Sequence, residues 1–181
     1  MKIEKTDIEG ILILTPQLFG DERGYFFESF NQKEFEEKAG IKINFVQDNQ
    51  SKSQKGVLRG LHFQNPPYEQ GKLVRVLSGS VLDIGIDIRK NSPTYGKQFK
   101  IKLDGSTNQM AWLPPGIAHG FVSLEDDTVF FYKCSNYYNK DSEGCILWND
   151  SDLNIDWEVD SPILSEKDKL GESFKEFKSN F

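Results

Sequence analysis

Between positions 81 and 89 the chain reads Val81-Leu82-Asp83-Ile84-Gly85-Ile86-Asp87-Ile88-Arg89. Leu82, Ile84, Ile86 and Ile88 alternate with Asp83, Gly85, Asp87 and Arg89, and a period of two sets the four aliphatic side chains on one face of an extended strand. The alternation predicts a sheet with one face buried. Just upstream, Lys72–Leu77 has the composition of a second strand, and Ser78-Gly79-Ser80 between the two supplies turn residues, so a hairpin is expected. Downstream, Phe99, Ile101 and Leu103 alternate with Lys100 and Lys102 ahead of the turn Asp104-Gly105. Further strands are expected at Gly10–Pro16, Gly24–Phe30, Asn44–Asn49, Gln109–Leu113 and Thr128–Ser135. Short strands separated by Gly, Pro and Asp turns point to an all-β sandwich or barrel. Helices are expected in two places. Asn31-Gln32-Lys33-Glu34 resembles a capping box with Gly40 as terminator, and Ser165-Glu166-Lys167-Asp168 opens the charged C-terminal segment. Neither a repeat nor a linker interrupts the 181 residues, which are read as one domain over 1–181.

Composition narrows the function classes. Hydrophobic residues at 37%, with 14 Phe, can form an aromatic-rich core, so wholesale disorder is excluded. Lys and Arg number 22 against 28 Asp and Glu, a formal charge of −6, which argues against nucleic acid and anionic membranes as partners. An anionic ligand would need a local basic cluster. The start of the chain lacks an apolar signal region, and no stretch suggests a membrane span. Two cysteines, Cys134 and Cys145, make neither a disulfide framework nor a zinc set, so reduced thiols and a cytoplasmic location are expected.

Candidate chemistry centres on the two histidines, in Leu58-Arg59-Gly60-Leu61-His62-Phe63-Gln64 and Pro114-Pro115-Gly116-Ile117-Ala118-His119-Gly120-Phe121. An imidazole titrates near neutrality and can move protons, although a core histidine satisfied by a backbone bond fits the composition equally well. Metal binding is disfavoured, because Gln64 stands where a second histidine would be needed beside His62, and His119 is remote in sequence. Arg59, Lys72 and Arg23 would suit a diphosphate or carboxylate if they converged, and are surface charges if they do not. Tyr132, in an apolar strand, is either packing or an acid facing a histidine. Asp168 is either the acid of a capping box or a carboxylate that orients an imidazole.

The chain resembles the dTDP-4-dehydrorhamnose 3,5-epimerase family over nearly its whole length. Five blocks carry the resemblance in the first two thirds: Asp21-Glu22-Arg23-Gly24-Tyr25-Phe26, Phe45-Val46-Gln47-Asp48-Asn49, Leu58–Gln64, Gln70-Gly71-Lys72-Leu73-Val74-Arg75-Val76 and Pro114–Phe121. Three more follow, Tyr132-Lys133-Cys134-Ser135-Asn136-Tyr137-Tyr138, Glu143-Gly144-Cys145-Ile146-Leu147-Trp148-Asn149-Asp150 and Leu164–Asp168. Ordered blocks of this number exceed the specificity of any single motif. The resemblance implies a cupin-type jelly-roll β-barrel with a few short peripheral helices. It also implies a metal-free, cofactor-free homodimer with N-terminal strands exchanged, acting on a dTDP-sugar. His62 would be the base, Tyr132 the opposing acid, Asp168 the partner of His62, and Lys72 the group beside the sugar carbonyl. Substrate would be bound by Arg23, Glu28, Gln47, Asn49, Arg59, His119, Glu143 and Lys167, with Phe19 and Tyr138 sandwiching the nucleotide base. The implied reaction inverts C3 and C5 of dTDP-4-dehydro-6-deoxy-D-glucose. A single-centre 3-epimerase shares the same base, and a non-catalytic sugar-binding barrel is the reading from another class.

Overall fold

The computed structural model describes all 181 residues. In chain order the first elements are β1 (Lys2–Lys5), β2 (Leu12–Thr15), β3 (Phe19–Asp21), β4 (Gly24–Phe26), α1 (Gln32–Ala39), β5 (Gln47–Ser53) and β6 (Leu58–Gln64). They are followed by β7 (Lys72–Ser78), β8 (Ser80–Asp87), β9 (Gln98–Asp104), β10 (Met110–Leu113), β11 (Ile117–Ser123), β12 (Thr128–Cys134) and β13 (Glu143–Cys145). Two antiparallel sheets form the body, one ordered β1-β2-β10-β7-β12-β5 and the other β13-β6-β11-β8-β9, while β3 and β4 pair only with each other. This is the all-β jelly roll that the strand pattern and the resemblance led us to expect.

Three apolar clusters hold it together. Between the sheets lie Ile11, Val74, Val76, Val81, Leu103, Ala111, Leu113, Ile117, Phe121 and Phe130. Alternate residues of the same strands point the other way, as period-two geometry requires. On the six-stranded sheet, Leu12, Leu14, Leu73, Met110 and Trp112 are covered by Phe35 of α1. That helix is capped as expected, with Asn31 Oδ1 accepting from the Glu34 N–H at 3.0 Å and Gly40 at φ +69°. On the five-stranded sheet, Leu82, Ile84, Ile86 and Ile88 are buried under Leu153, Trp157 and Phe177 of the C-terminal segment.

Several expectations need correction. The alternation at 82–88 does separate two faces, but neither meets solvent, and Asp83 and Asp87 are fully buried. The aliphatic face is sealed by the tail, and the polar face turns toward the opposite sheet. Strands β7 and β8 do not form a hairpin: β7 pairs with β10 and β12, β8 with β9 and β11. The chain crosses between sheets at Gly79, whose φ of +78° and close approach to Thr128 leave no room for a side chain. The strand expected over Gly24–Phe30 ends at Phe26, and the one expected at Asn44–Asn49 instead occupies Gln47–Ser53. The helix expected from Ser165 is a single 3-10 turn, Asp168–Leu170, because the tail packs along the sheet instead of presenting a helical stripe. Strands β6 and β11, which carry both histidines, lack the alternation by which the other strands were recognised.

Candidate active site

Strand β6 departs from regular pleating at the point that matters. Its partner β11 aligns His119 with His62 and Phe121 with Arg59, so three steps along β6 match two along β11. The extra residue is a β-bulge, which re-aims the side chains on either side of it. Gly60 permits it: its φ is +140°, and a Cβ there would lie 2.4 Å from the Gly120 Cα. As a result Leu58, Leu61 and Phe63 enter the core beneath the tail, while Arg59 and His62 both face the space between the sheets.

That space is a cleft with two lobes of about 320 and 360 Å³, sharing His62, Lys72 and Tyr132. Arg59, His119, Lys167 and Asp168 line the first lobe, and Gln47, Asn49, Tyr138 and Glu143 the second. His62 comes from the five-stranded sheet and Tyr132 from the six-stranded one, so they reach the cleft from facing walls. Lys72, at the start of β7, donates to the His62 carbonyl at 3.3 Å.

Asp168 contacts both His62 and Ser165, but no side chain caps the 3-10 turn that it opens, so the capping box expected at Ser165–Asp168 does not form. Its Oδ1 lies 2.6 Å from His62 Nε2, and its Oδ2 accepts from Ser165 Oγ at 2.6 Å, while Ser165 Oγ accepts in turn from the Asp168 N–H. The Gly60 N–H adds a bond to Oδ1 at 3.3 Å. Burial by itself would raise the carboxyl's pKa, but the bonds from His62, Ser165 and Gly60 outweigh it and hold it down to about 2. An ionised carboxylate only accepts, so the Nε2–H of His62 donates and Nδ1 is left to take a proton. The Tyr132 phenol is pushed up to about 12, mainly by burial, and stays protonated at neutral pH. Burial also depresses the Lys72 ammonium, against the opposing pull of Cys134, Asp83 and Glu143.

Around this centre the remaining groups are held in place. His119 Nε2 lies 2.8 Å from Oδ2 of the fully buried Asp83, and Arg59 Nε donates to Ser53 Oγ at 3.2 Å. Gln47 accepts from the Tyr138 N–H at 2.9 Å and donates to Asn49. At the mouth Glu143 accepts from the Tyr138 hydroxyl and pairs with Lys167, whose bond keeps its carboxyl below the usual range even though burial works against ionisation.

Three expected residues stand apart. Phe19 and Arg23 belong to the β3–β4 hairpin and line a separate depression there, and Glu28 accepts from Asn31. Phe19, Tyr25 and Phe26 are all more than half exposed. Sequence reasoning also missed several groups. Asp83 was hidden because its place in an alternating strand suggested solvent, and Ser165 because it was read only as a helix cap. Cys145 has no motif of its own, yet it lies directly across from His62 in the β13–β6 pairing.

Comparisons with known proteins place the chain in a family. Residues 5–176 match the family model described as dTDP-4-dehydrorhamnose 3,5-epimerase. A dTDP-4-dehydrorhamnose 3,5-epimerase of Shigella flexneri is 54% identical over 174 residues, covering 96% of each chain. The crystal structure of the Elizabethkingia anophelis enzyme of that name superposes with a TM-score of 0.93 at 50% identity, over 97% of both chains. A Legionella pneumophila epimerase in complex with dTDP-4-keto-L-rhamnose gives a TM-score of 0.93 at 46% identity, over 98% of this chain and 94% of that one. With the family model spanning nearly all of the sequence and relatives this similar along their full length, the chain belongs to the dTDP-4-dehydrorhamnose 3,5-epimerase family.

Proposed function

We propose that the cleft inverts C3 and C5 of dTDP-4-dehydro-6-deoxy-D-glucose, giving dTDP-4-dehydro-L-rhamnose, with no redox cofactor or metal. One observation carries the assignment of roles: an imidazole oriented by an ionised carboxylate and a phenol kept protonated reach one cavity from opposite walls, beside the half-buried Lys72 side chain.

The 4-keto group makes the C–H bonds at C3 and C5 acidic, because the charge left on carbon spreads onto oxygen as an enolate. His62 Nδ1 removes the proton, and Asp168 stabilises the imidazolium that forms. Lys72 provides positive charge where the enolate oxygen develops. Tyr132 returns a proton from the other wall, which inverts the centre. Arg59, Lys167 and His119 hold the anionic and hydroxyl groups of the substrate, and Gln47, Asn49, Tyr138 and Glu143 position its nucleotide end, so that remote binding orients the reacting carbon.

The enzyme is further proposed to be a cytoplasmic homodimer. A two-stranded hairpin is marginal in water by itself, and β3–β4 exposes Phe19, Tyr25 and Phe26. In a dimer this hairpin would bring Phe19, Arg23 and Glu28 to the cleft of a second copy, where Phe19 would face Tyr138 across the nucleotide base. The outer face of the six-stranded sheet supports an interface too: Arg75 lies over Phe27 and Phe131, and its Nη1 is buried without a hydrogen-bond partner. No helix is long and apolar enough to cross a membrane.

The test is turnover of dTDP-4-dehydro-6-deoxy-D-glucose in deuterated water. Deuterium at both C3 and C5, with the L-configured product captured by a reductase, is the expected result. Label confined to C3 at long incubation would reassign the chain to the single-centre epimerases.

A further inference from the structure

We propose that this cleft has a second ligand, a single Zn²⁺-class cation held by His62, Cys145 and Asp168 that switches turnover off. The inhibitory part rests on the reading of His62 as the base, whereas the binding part does not. Cys145 and His62 are paired residues of adjacent antiparallel strands, so their side chains share one face. One donor atom from each of His62, Cys145 and Asp168 lies within 4.8 Å of the other two. Histidine spacing alone gave no hint of this set, because its second and third members come from a cysteine and a carboxylate distant in sequence.

The donor set defines the class of ion. Imidazole nitrogen, sulfur and carboxylate oxygen together suit Zn²⁺ and its borderline neighbours, while Mg²⁺ and Ca²⁺ select oxygen ligands. A thiolate and a carboxylate neutralise a dication. Three protein ligands leave a fourth tetrahedral position for water. Asp168 is already fixed by Ser165 and the Gly60 N–H, outer contacts of the kind that orient a metal ligand.

Binding is a substitution of protons by metal. The proton between His62 Nε2 and Asp168 Oδ1, now 2.6 Å apart, gives way to the ion, and these atoms separate by about 1 Å to accept metal bonds of about 2.0–2.2 Å. The Cys145 thiol, which burial and the charge of Asp168 push up to about 11, releases its proton to solvent. No electron is transferred. With Nε2 on the metal, the single proton of the neutral ring resides on Nδ1, the nitrogen that must accept from substrate. The base is thereby silenced, and a chelator restores it.

The experiment uses chelator-treated protein and two probes, Co²⁺ for spectroscopy and Zn²⁺ for activity. The wild type should bind one Co²⁺ per chain with a thiolate-to-cobalt charge-transfer band in the near ultraviolet, and Cys134→Ser should keep that band. Cys145→Ser and Cys145→Ala should lose the band, keep turnover, and need at least tenfold more Zn²⁺ for half-inhibition. Equal Zn²⁺ sensitivity, or an undiminished band, in both Cys145 variants would overturn the site. A Cys145-dependent band without loss of turnover would leave the metal site standing and overturn His62 as the base.

Discussion

Strands β6 and β8 flank the same neighbour, β11, within one sheet. From Ile117 to Ser123, β11 pairs with β8 in unbroken register, whereas its pairing with β6 slips by one residue between His119 and Phe121. The unbroken strand is the more legible and contributes Asp83, the partner of His119, from its inner face. The broken strand brings both Arg59 and His62 into the cleft. Regular pleating sends alternate residues to opposite faces, so two groups three positions apart share a face only where an extra residue is inserted. In this molecule the regular strands build the frame, and a local irregularity aims the chemistry.

Breaking the irregularity should have the largest effect. Gly60→Ala puts a Cβ against Gly120 at a φ that disfavours any side chain, so it should cost at least about 3 kcal/mol of stability. It should also lower turnover per folded molecule by about 100-fold or more, since a reacting group misplaced by about 1 Å has that consequence. Denaturant unfolding and kcat on the folded fraction measure both. Normal turnover in a folded Gly60→Ala protein would show that the bulge does not aim His62.

Ile84→Ala tests the regular side of the comparison. Ile84 is fully buried beneath the tail, and its truncation should cost about 2–5 kcal/mol while leaving kcat of the folded protein within about twofold. A large loss of kcat would mean that the frame and the chemistry are coupled through β8.

A smaller effect sharpens the role of Asp168. Its folded-state pKa of about 2 lies below the value of about 3.9 for an unfolded aspartate. Its ionised form therefore stabilises the fold above about pH 4, and this contribution is lost as pH falls through about 2. The stability difference between wild type and Asp168→Asn should be about 2–3 kcal/mol near pH 6 and shrink toward pH 2. A difference independent of pH would reduce Asp168 to a packing residue.

How far the sequence could be read follows the same division. Periodicity disclosed β8 and β9, and turn residues disclosed the all-β class, because both reflect regular strands. The hairpin expected at Ser78–Ser80 was wrong because a glycine turn serves equally well to carry a chain between sheets. Asp83 was misjudged because alternation separates two faces without saying that the polar one meets water. For Asp168 local spacing offered two rival roles; one carboxylate oxygen meets His62 and the other the Ser165 hydroxyl, while no helix cap forms. The cleft residues His62, Arg59, Lys72 and Tyr132 were singled out as candidates by their chemistry, but their convergence was implied only by the family motifs, since bulges and facing walls leave no periodic trace. Arg23, in one of those motifs, and Phe19 and Glu28, which the resemblance implied from outside them, stand apart from this chain's own cleft.

The claim at the centre of this account is that His62 removes the proton and Tyr132 returns it from the facing wall. Hydrogen exchange and net inversion, followed together in deuterated water for His62→Ala and Tyr132→Phe, test it most directly. Loss of the Tyr132 hydroxyl leaves the ring's packing and the base intact, so Tyr132→Phe should fold normally and keep measurable exchange relative to its diminished inversion. His62→Ala should lose exchange and inversion alike. Inversion by Tyr132→Phe at the unmodified rate, or undiminished exchange in His62→Ala, would contradict the account.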